Sequence, residues 1–192
     1  MSLEIIEVTD SGSKDFPRLE EGTYPARIVR IIELGTQAKT NWQTGEQECY
    51  EDGTPIFQKK VWVDFELPTE TIDIGGEAKP RWQGKEYTLS FHPKAALMAV
   101  VNSIGEKVTN LSQIVDKPLM IQIGSTSGGK AKVAGVSKIM KGLVVDPLVN
   151  TPIIFDIDDP DMDVLEKIPN FLKEKILPNL PAGDKINEDI PF

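Results

Sequence analysis

A chain of 192 residues and 21.3 kDa, 40% hydrophobic and 27% charged, has the make-up of a folded globular protein, with room for one good-sized domain plus appendages. The single Cys49 excludes an intramolecular disulfide and a cysteine-rich metal site, and the single His92 excludes a histidine-rich one. The net charge of -9 is unevenly spread: residues 1–21 carry 2 basic and 6 acidic side chains, residues 22–142 carry 15 and 13, and residues 143–192 carry 4 and 11.

The opening MSLEIIEVTD has neither a basic region nor an apolar run, so no signal peptide is expected. Residues 1–21 read as an N-terminal arm. From Thr23 the run TYPARIVRIIELG, too apolar on both faces for a simple amphipathic strand, predicts a long, coiled first strand ending at Gly35. The polar stretch that follows carries Trp42 and Tyr50 among the turn formers Gly45, Asp52, Gly53 and Pro55. KKVWVDFEL is the cleanest strand. Val61, Val63, Phe65 and Leu67 alternate with Lys60, Trp62, Asp64 and Glu66, which puts Trp62 on the polar face.

Residues 68–85, with Gly75, Gly76 and Pro80, read as a loop, and KEYTLSF as a third strand. KAALMAVVNSIG predicts a helix that Gly105 ends. PLMIQIGS and AKVAGVSKI, joined by STSGGK, predict a hairpin of strands four and five. Beyond Gly142, TPIIF is a short strand or extended arm, and Pro169 splits DVLEKIPNFLKEKI into two short helices.

The expected fold class is therefore all-β with minor α. Five strands with one helix between the third and fourth is the element order of the OB-fold, a Greek-key barrel, and that domain is expected over residues 22–142. An SH3-like or sandwich domain with an inserted helix has nearly the same order. Residues 143–182 form an extended and helical C-terminal extension, and residues 183–192 an acidic tail.

Aromatic and basic residues interleave across the middle segment. Trp42, Lys59, Lys60, Trp62, Arg81, Trp82 and Lys85 form the mixture used by single-strand binders, in which rings stack on bases and cations track phosphates. Phe57, Phe65, Tyr87 and Phe91 are read instead as packing residues. The run DIDDPDMDVLEK fails as a calcium loop, because Asp161 stands where Gly is needed and Lys167 where a bidentate Glu is needed. STSGGK lacks the GxxxxGKS/T pattern, and no nucleophile–base or paired-carboxylate constellation is present. Neither an enzyme, a metal site nor a cofactor is expected. A nuclease using Asp156, Asp158 and Asp161 is the rival in that class.

The final Asp189-Ile190-Pro191-Phe192 resembles the end of bacterial single-stranded DNA-binding (SSB) proteins, whose acidic tails finish in the same four residues. EGTYPARIV, KPRWQGKEYTLSFH and TPIIFDIDD resemble phage-encoded single-strand-binding proteins with one OB domain. The resemblance implies a domain that coats single-stranded DNA and a tail that docks replication, recombination or repair proteins through Asp189, Ile190, Pro191 and Phe192. It implies the host-cell cytoplasm and no membrane partner, and leaves homo-oligomerisation open. The chain departs from the bacterial pattern in two ways: DVLEKIPNFLKEKI stands where a long Gly/Gln-rich linker would be, and the basic excess of the middle is small. A protein-interaction module of the same shape, with no nucleic-acid binding, is the alternative.

Overall fold

In the computed structural model, which describes residues 17–41 and 43–181, the chain is mostly β. In chain order the elements are β1 (Gly22–Ala38), β2 (Phe57–Ile74), β3 (Glu77–Thr88), α1 (Ala96–Ile104), β4 (Pro118–Ser125), β5 (Ala131–Ser137), β6 (Ile153–Phe155), α2 (Met162–Glu166) and α3 (Asn170–Ile176). Five strands pair antiparallel in the order β3-β2-β1-β4-β5, and β6 adds to β1 in parallel. The two ends of that order, β3 and β5, lie against each other. Side chains bridge them: Gln83 Nε2 donates to the Ala131 carbonyl at 3.4 Å and Lys85 Nζ to the Val133 carbonyl at 3.1 Å.

The segment 68–85 corrects the sequence reading. It is not a loop, because β2 runs on to Ile74 and β3 starts at Glu77, with Gly75 and Gly76 forming a two-residue turn in which both have positive φ. Only glycine takes up that turn without strain, and its twist matches that of the flanking strands. Pro68 and Pro80 suggested a break. Pro68 falls in the irregular stretch between Leu67 and Thr71, and Pro80 sits on β3, an outer strand of the antiparallel ladder, where a missing N–H need not interrupt pairing.

Two apolar clusters result. One is enclosed by the sheet and α1, with Ala26, Ile28, Ile31, Val61, Val63, Phe65, Leu67, Tyr87, Leu97, Val100, Leu119, Ile121 and Val133. The other lies on the opposite face of β1, where Ile32 and Leu34 meet Phe155, Ile157, Leu165, Ile168, Leu172, Ile176 and Leu180. The C-terminal helices are thus the cover of an apolar outer strip. Register shifts in β1 between Ile28 and Arg30 and between Glu33 and Gly35 re-aim its side chains, so that one strand feeds both clusters. Asp161 caps α2, accepting from the backbone N–H groups of Asp163 and Val164, and Pro169 separates α2 from α3 as the sequence implies. No described helix is long and apolar enough to cross a membrane.

Gly35 has φ +72°, and a Cβ there would lie 2.5 Å from Asn179 Cβ and 2.8 Å from Ile157 Cδ1. Gly35→Ala combines left-handed backbone strain with a clash against the C-terminal cover, and should lower unfolding stability by about 2–4 kcal/mol in urea denaturation. An unchanged midpoint would mean that the cover is not seated on β1.

Candidate nucleic-acid interface

Alternation along β2 and β3 sends their side chains to two different faces. Val61, Val63, Phe65 and Leu67 go inward, whereas Trp62, Asp64 and Glu66 go to the outer face, opposite Glu86, Gly84 and Trp82 of β3. There Arg30 Nε donates to Asp64 Oδ2 at 2.5 Å, and the Arg30 guanidinium lies 5.1 Å from the centre of the Trp82 ring. Trp62 Nε1 donates to Asp64 Oδ1 at 2.9 Å, and Trp82 Nε1 to Glu66 Oε2 at 3.1 Å.

Glu66 is fully buried. It accepts from the Val149 backbone at 2.7 Å and from Asn150 Nδ2 at 2.6 Å, so the strap at residues 149–150 closes over the strip. Phe171 of α3 meets Trp62 in a T-shaped contact with ring centroids 5.4 Å apart. From below, a Cβ on Gly84 would stand 2.3 Å from Trp62 Cζ2, so this glycine makes room for the ring. Lys175 of α3 bonds Glu86.

The seven residues singled out for a DNA face are therefore not one surface. Trp62 and Trp82 lie in the covered outer strip, their indole N–H groups taken by carboxylates. Arg81 and Lys85 sit one residue and three residues from Trp82, so strand alternation turns them to the other face. Trp82 therefore lies on a strand and not in the loop expected over residues 68–85. Lys85 also lies 5.3 Å from the Tyr87 ring; burial, and then the neighbouring Lys132, hold its ammonium below the usual lysine range. Burial likewise raises the Tyr87 hydroxyl pKa above its ordinary value. Lys60 donates to Thr88 Oγ1 at 3.0 Å, and Lys59 is exposed. Trp42, Asp189, Ile190, Pro191 and Phe192 lie outside the described residues.

Of the four aromatics read as packing residues, Phe65 and Tyr87 are in the core, but Phe57 is 57% and Phe91 59% exposed. Their parity fits the apolar face. The enclosed core, however, ends at Val61 and Tyr87, and residues beyond that level run past its rim. The β2–β3 ladder ends with the Leu89 N–H donating to the Lys59 carbonyl at 2.8 Å; the chain then turns, with the Ser90 N–H donating to the Thr88 carbonyl at 2.8 Å, and Phe91 follows that turn. Beside Phe91 a cavity of about 340 Å³ is lined by Thr88, Ser90, His92, Lys94, Ala95 and Ala96. His92 Nδ1 accepts the Lys94 backbone N–H at 3.2 Å, which assigns the ring proton to Nε2 in the neutral imidazole.

Glu33, Asp156 and Asp158 each present a carboxylate oxygen within 4.8 Å of the others, a spacing that a hard divalent cation can bridge. Glu33 is no part of the nuclease reading, and Asp161, which that reading groups with Asp156 and Asp158, instead caps α2. Burial first, and then the charge of Asp156, raise the Glu33 pKa above its ordinary 4.5. No protein-family model, curated protein or solved structure matches the chain.

Asp64→Asn leaves the buried Arg30 charge uncompensated and should lower stability by about 3 kcal/mol in urea denaturation. A loss below about 1 kcal/mol would mean that the outer strip is wet. Because Glu33 binds its proton more tightly folded than unfolded, its ionisation opposes folding, and its contribution falls as pH rises from 4.5 through the raised folded value. Glu33→Gln should therefore raise the Tm at pH 7, with the gain shrinking below pH 4.5. A gain that grew on acidification would contradict the sign of the shift.

Proposed function

We propose that the sheet is an OB-type Greek-key barrel and that the protein is a non-enzymatic, sequence-tolerant binder of single-stranded DNA. The observation that carries this reading is the strand order β3-β2-β1-β4-β5, with α1 between β3 and β4 and with Gln83 and Lys85 bridging β3 to β5. Fold alone does not assign function. The second support is the sequence: the near-neutral middle between acidic ends, and the terminal Asp189-Ile190-Pro191-Phe192 that resembles the tip of single-strand-binding proteins. On this reading the protein coats single strands during phage DNA replication, recombination or repair in the host cytoplasm. Its acidic end recruits partner proteins through Asp189, Ile190, Pro191 and Phe192, the Phe192 ring filling an apolar pocket and the acidic side chain of Asp189 meeting a basic residue.

One observation favours the second reading, a protein-interaction module. Met140, Val144 and Val149 are 61%, 87% and 71% exposed along the stretch after β5.

The reading is tested by fluorescence anisotropy of a labelled oligo-dT with the full chain, since Trp62 and Trp82 are half-buried and engaged by Phe171 and Glu66, which makes quenching of their emission a weak reporter. Binding is expected at low salt, weaker to duplex DNA, with log Kobs falling linearly with log salt. Deletion of Phe192 should leave DNA binding intact and abolish capture of replication partners. No binding at low salt, with or without residues 183–192, sinks the proposal.

A further inference from the structure

If the protein binds single strands, the geometry favours the end of the β2–β3 ladder over the outer strip, where the half-exposed Phe171 is already packed on Trp62. On that strip the two tryptophans are occupied on ring or edge: Trp62 lies between Gly84 and Phe171, and Trp82 against Arg30 and Glu66. Two carboxylates, Asp64 and Glu66, stand beside them and would repel phosphates. At the open end of the β2–β3 ladder the rings are open, although Lys59 stands within electrostatic reach of Glu33 and so of its neighbours Asp156 and Asp158. Phe57 and Phe91 are more than half exposed, and Lys59 and Lys94 flank them with no ion pair among the described residues.

The arm at residues 39–56 is a poor continuation of this surface. Its exposed Tyr50 stands next to Glu51 and Asp52, and its Lys39 is paired to Glu48. Chemistry therefore favours a path over the β2–β3 end and the β3–α1 corner, past the cavity lined by Ser90, His92 and Lys94.

We infer that single-stranded DNA stacks its bases on Phe57 and Phe91 at this end of the ladder, with Lys59 and Lys94 on the adjoining phosphates. The inference rests on the single-strand-binding reading and adds the location of the site. A base stacked on an exposed phenyl ring covers it without selecting a sequence.

The test is anisotropy of labelled oligo-dT at fixed low salt with the full chain. Phe57→Ala and Phe91→Ala should each weaken binding about tenfold with an unchanged Tm, because neither ring is in the core. Phe91→Trp should keep the affinity and give a new tryptophan emission that DNA quenches. Lys59→Gln with Lys94→Gln should reduce the slope of log Kobs against log salt by about 1.4, the release expected for two phosphates of a single strand. Tyr50→Ala and Lys107→Gln, the latter at the far end of α1, should bind as the parent chain does.

If the parent chain binds while F57A and F91A bind equally well, the site is elsewhere and this inference fails with the single-strand reading intact. If the parent chain does not bind, both fail. A loss of affinity accompanied by a lowered Tm counts for the inference only where F91W retains binding and is quenched; F91W that binds without quenching overturns it.

Discussion

The rest of the architecture depends on a strand that is apolar on both sides. β1 directs Ile28 and Ile31 into the enclosed core and Ile32 and Leu34 to the outer face, all at 2% exposure or less. A strand of this kind is stable only if both faces are covered. The inner cover is the curled sheet with α1. The outer cover is β6, α2, α3 and the turn that follows, which supply Phe155, Leu165, Leu172, Ile176 and Leu180. Fully burying an aliphatic side chain contributes about 1.5–3 kcal/mol. Residues 153–180 are therefore held by the same apolar burial that holds the enclosed core, and not by a few surface contacts.

That constraint also decides where charge can stand. Once the cover is down, any carboxylate on the outer strip must be matched, since an unpaired buried charge costs several kcal/mol. Asp64 has Arg30 and the Trp62 N–H, Glu66 has Trp82, Val149 and Asn150, and Glu86 has Lys175. No buried side-chain nitrogen or oxygen among the described residues lacks a partner. The indoles take part in this matching as donors. Their role is to satisfy acids at the sheet–cover boundary, which explains why tryptophans sit on the polar parity of strands.

Much of this was legible locally. The alternation of Val61 to Leu67, the helix ended by Gly105 at φ 78°, the pairing of β4 with β5 and the break at Pro169 are short-range facts, written in period and turn chemistry. Three things were not. Pro80 looks like a breaker until the strand carrying it is known to lie outermost in the antiparallel ladder. Parity gives the face of Phe57 and Phe91 but not the level at which the core stops, which depends on how far the other strands reach. The fate of Trp62 is set in part by Phe171, 109 positions away, and that of Trp82 by Arg30, 52 positions away, and no short window of sequence contains both partners. The double-sided apolar character of β1 was the one local sign that a second cover was needed.

The basic residues of the middle segment sharpen what binding can look like. Of its fifteen, Arg27 holds the carbonyls of Asp116, Val145 and Asp146, Arg30 is spent on Asp64, and Lys85 is turned to Val133. Lys39 and Lys117 face Glu48 and Glu106. A small net excess thus becomes smaller once structural duties are subtracted. Phosphate attraction alone cannot then carry tight binding, because each released counterion needs a cation on the path. On the proposed single-strand reading stacking would supply the larger share, and stacking needs rings with an open face. Among the described residues Phe57 and Phe91 meet this condition beside exposed lysines, and Phe171 is half exposed as well, whereas Trp62 and Trp82 are engaged in holding the fold.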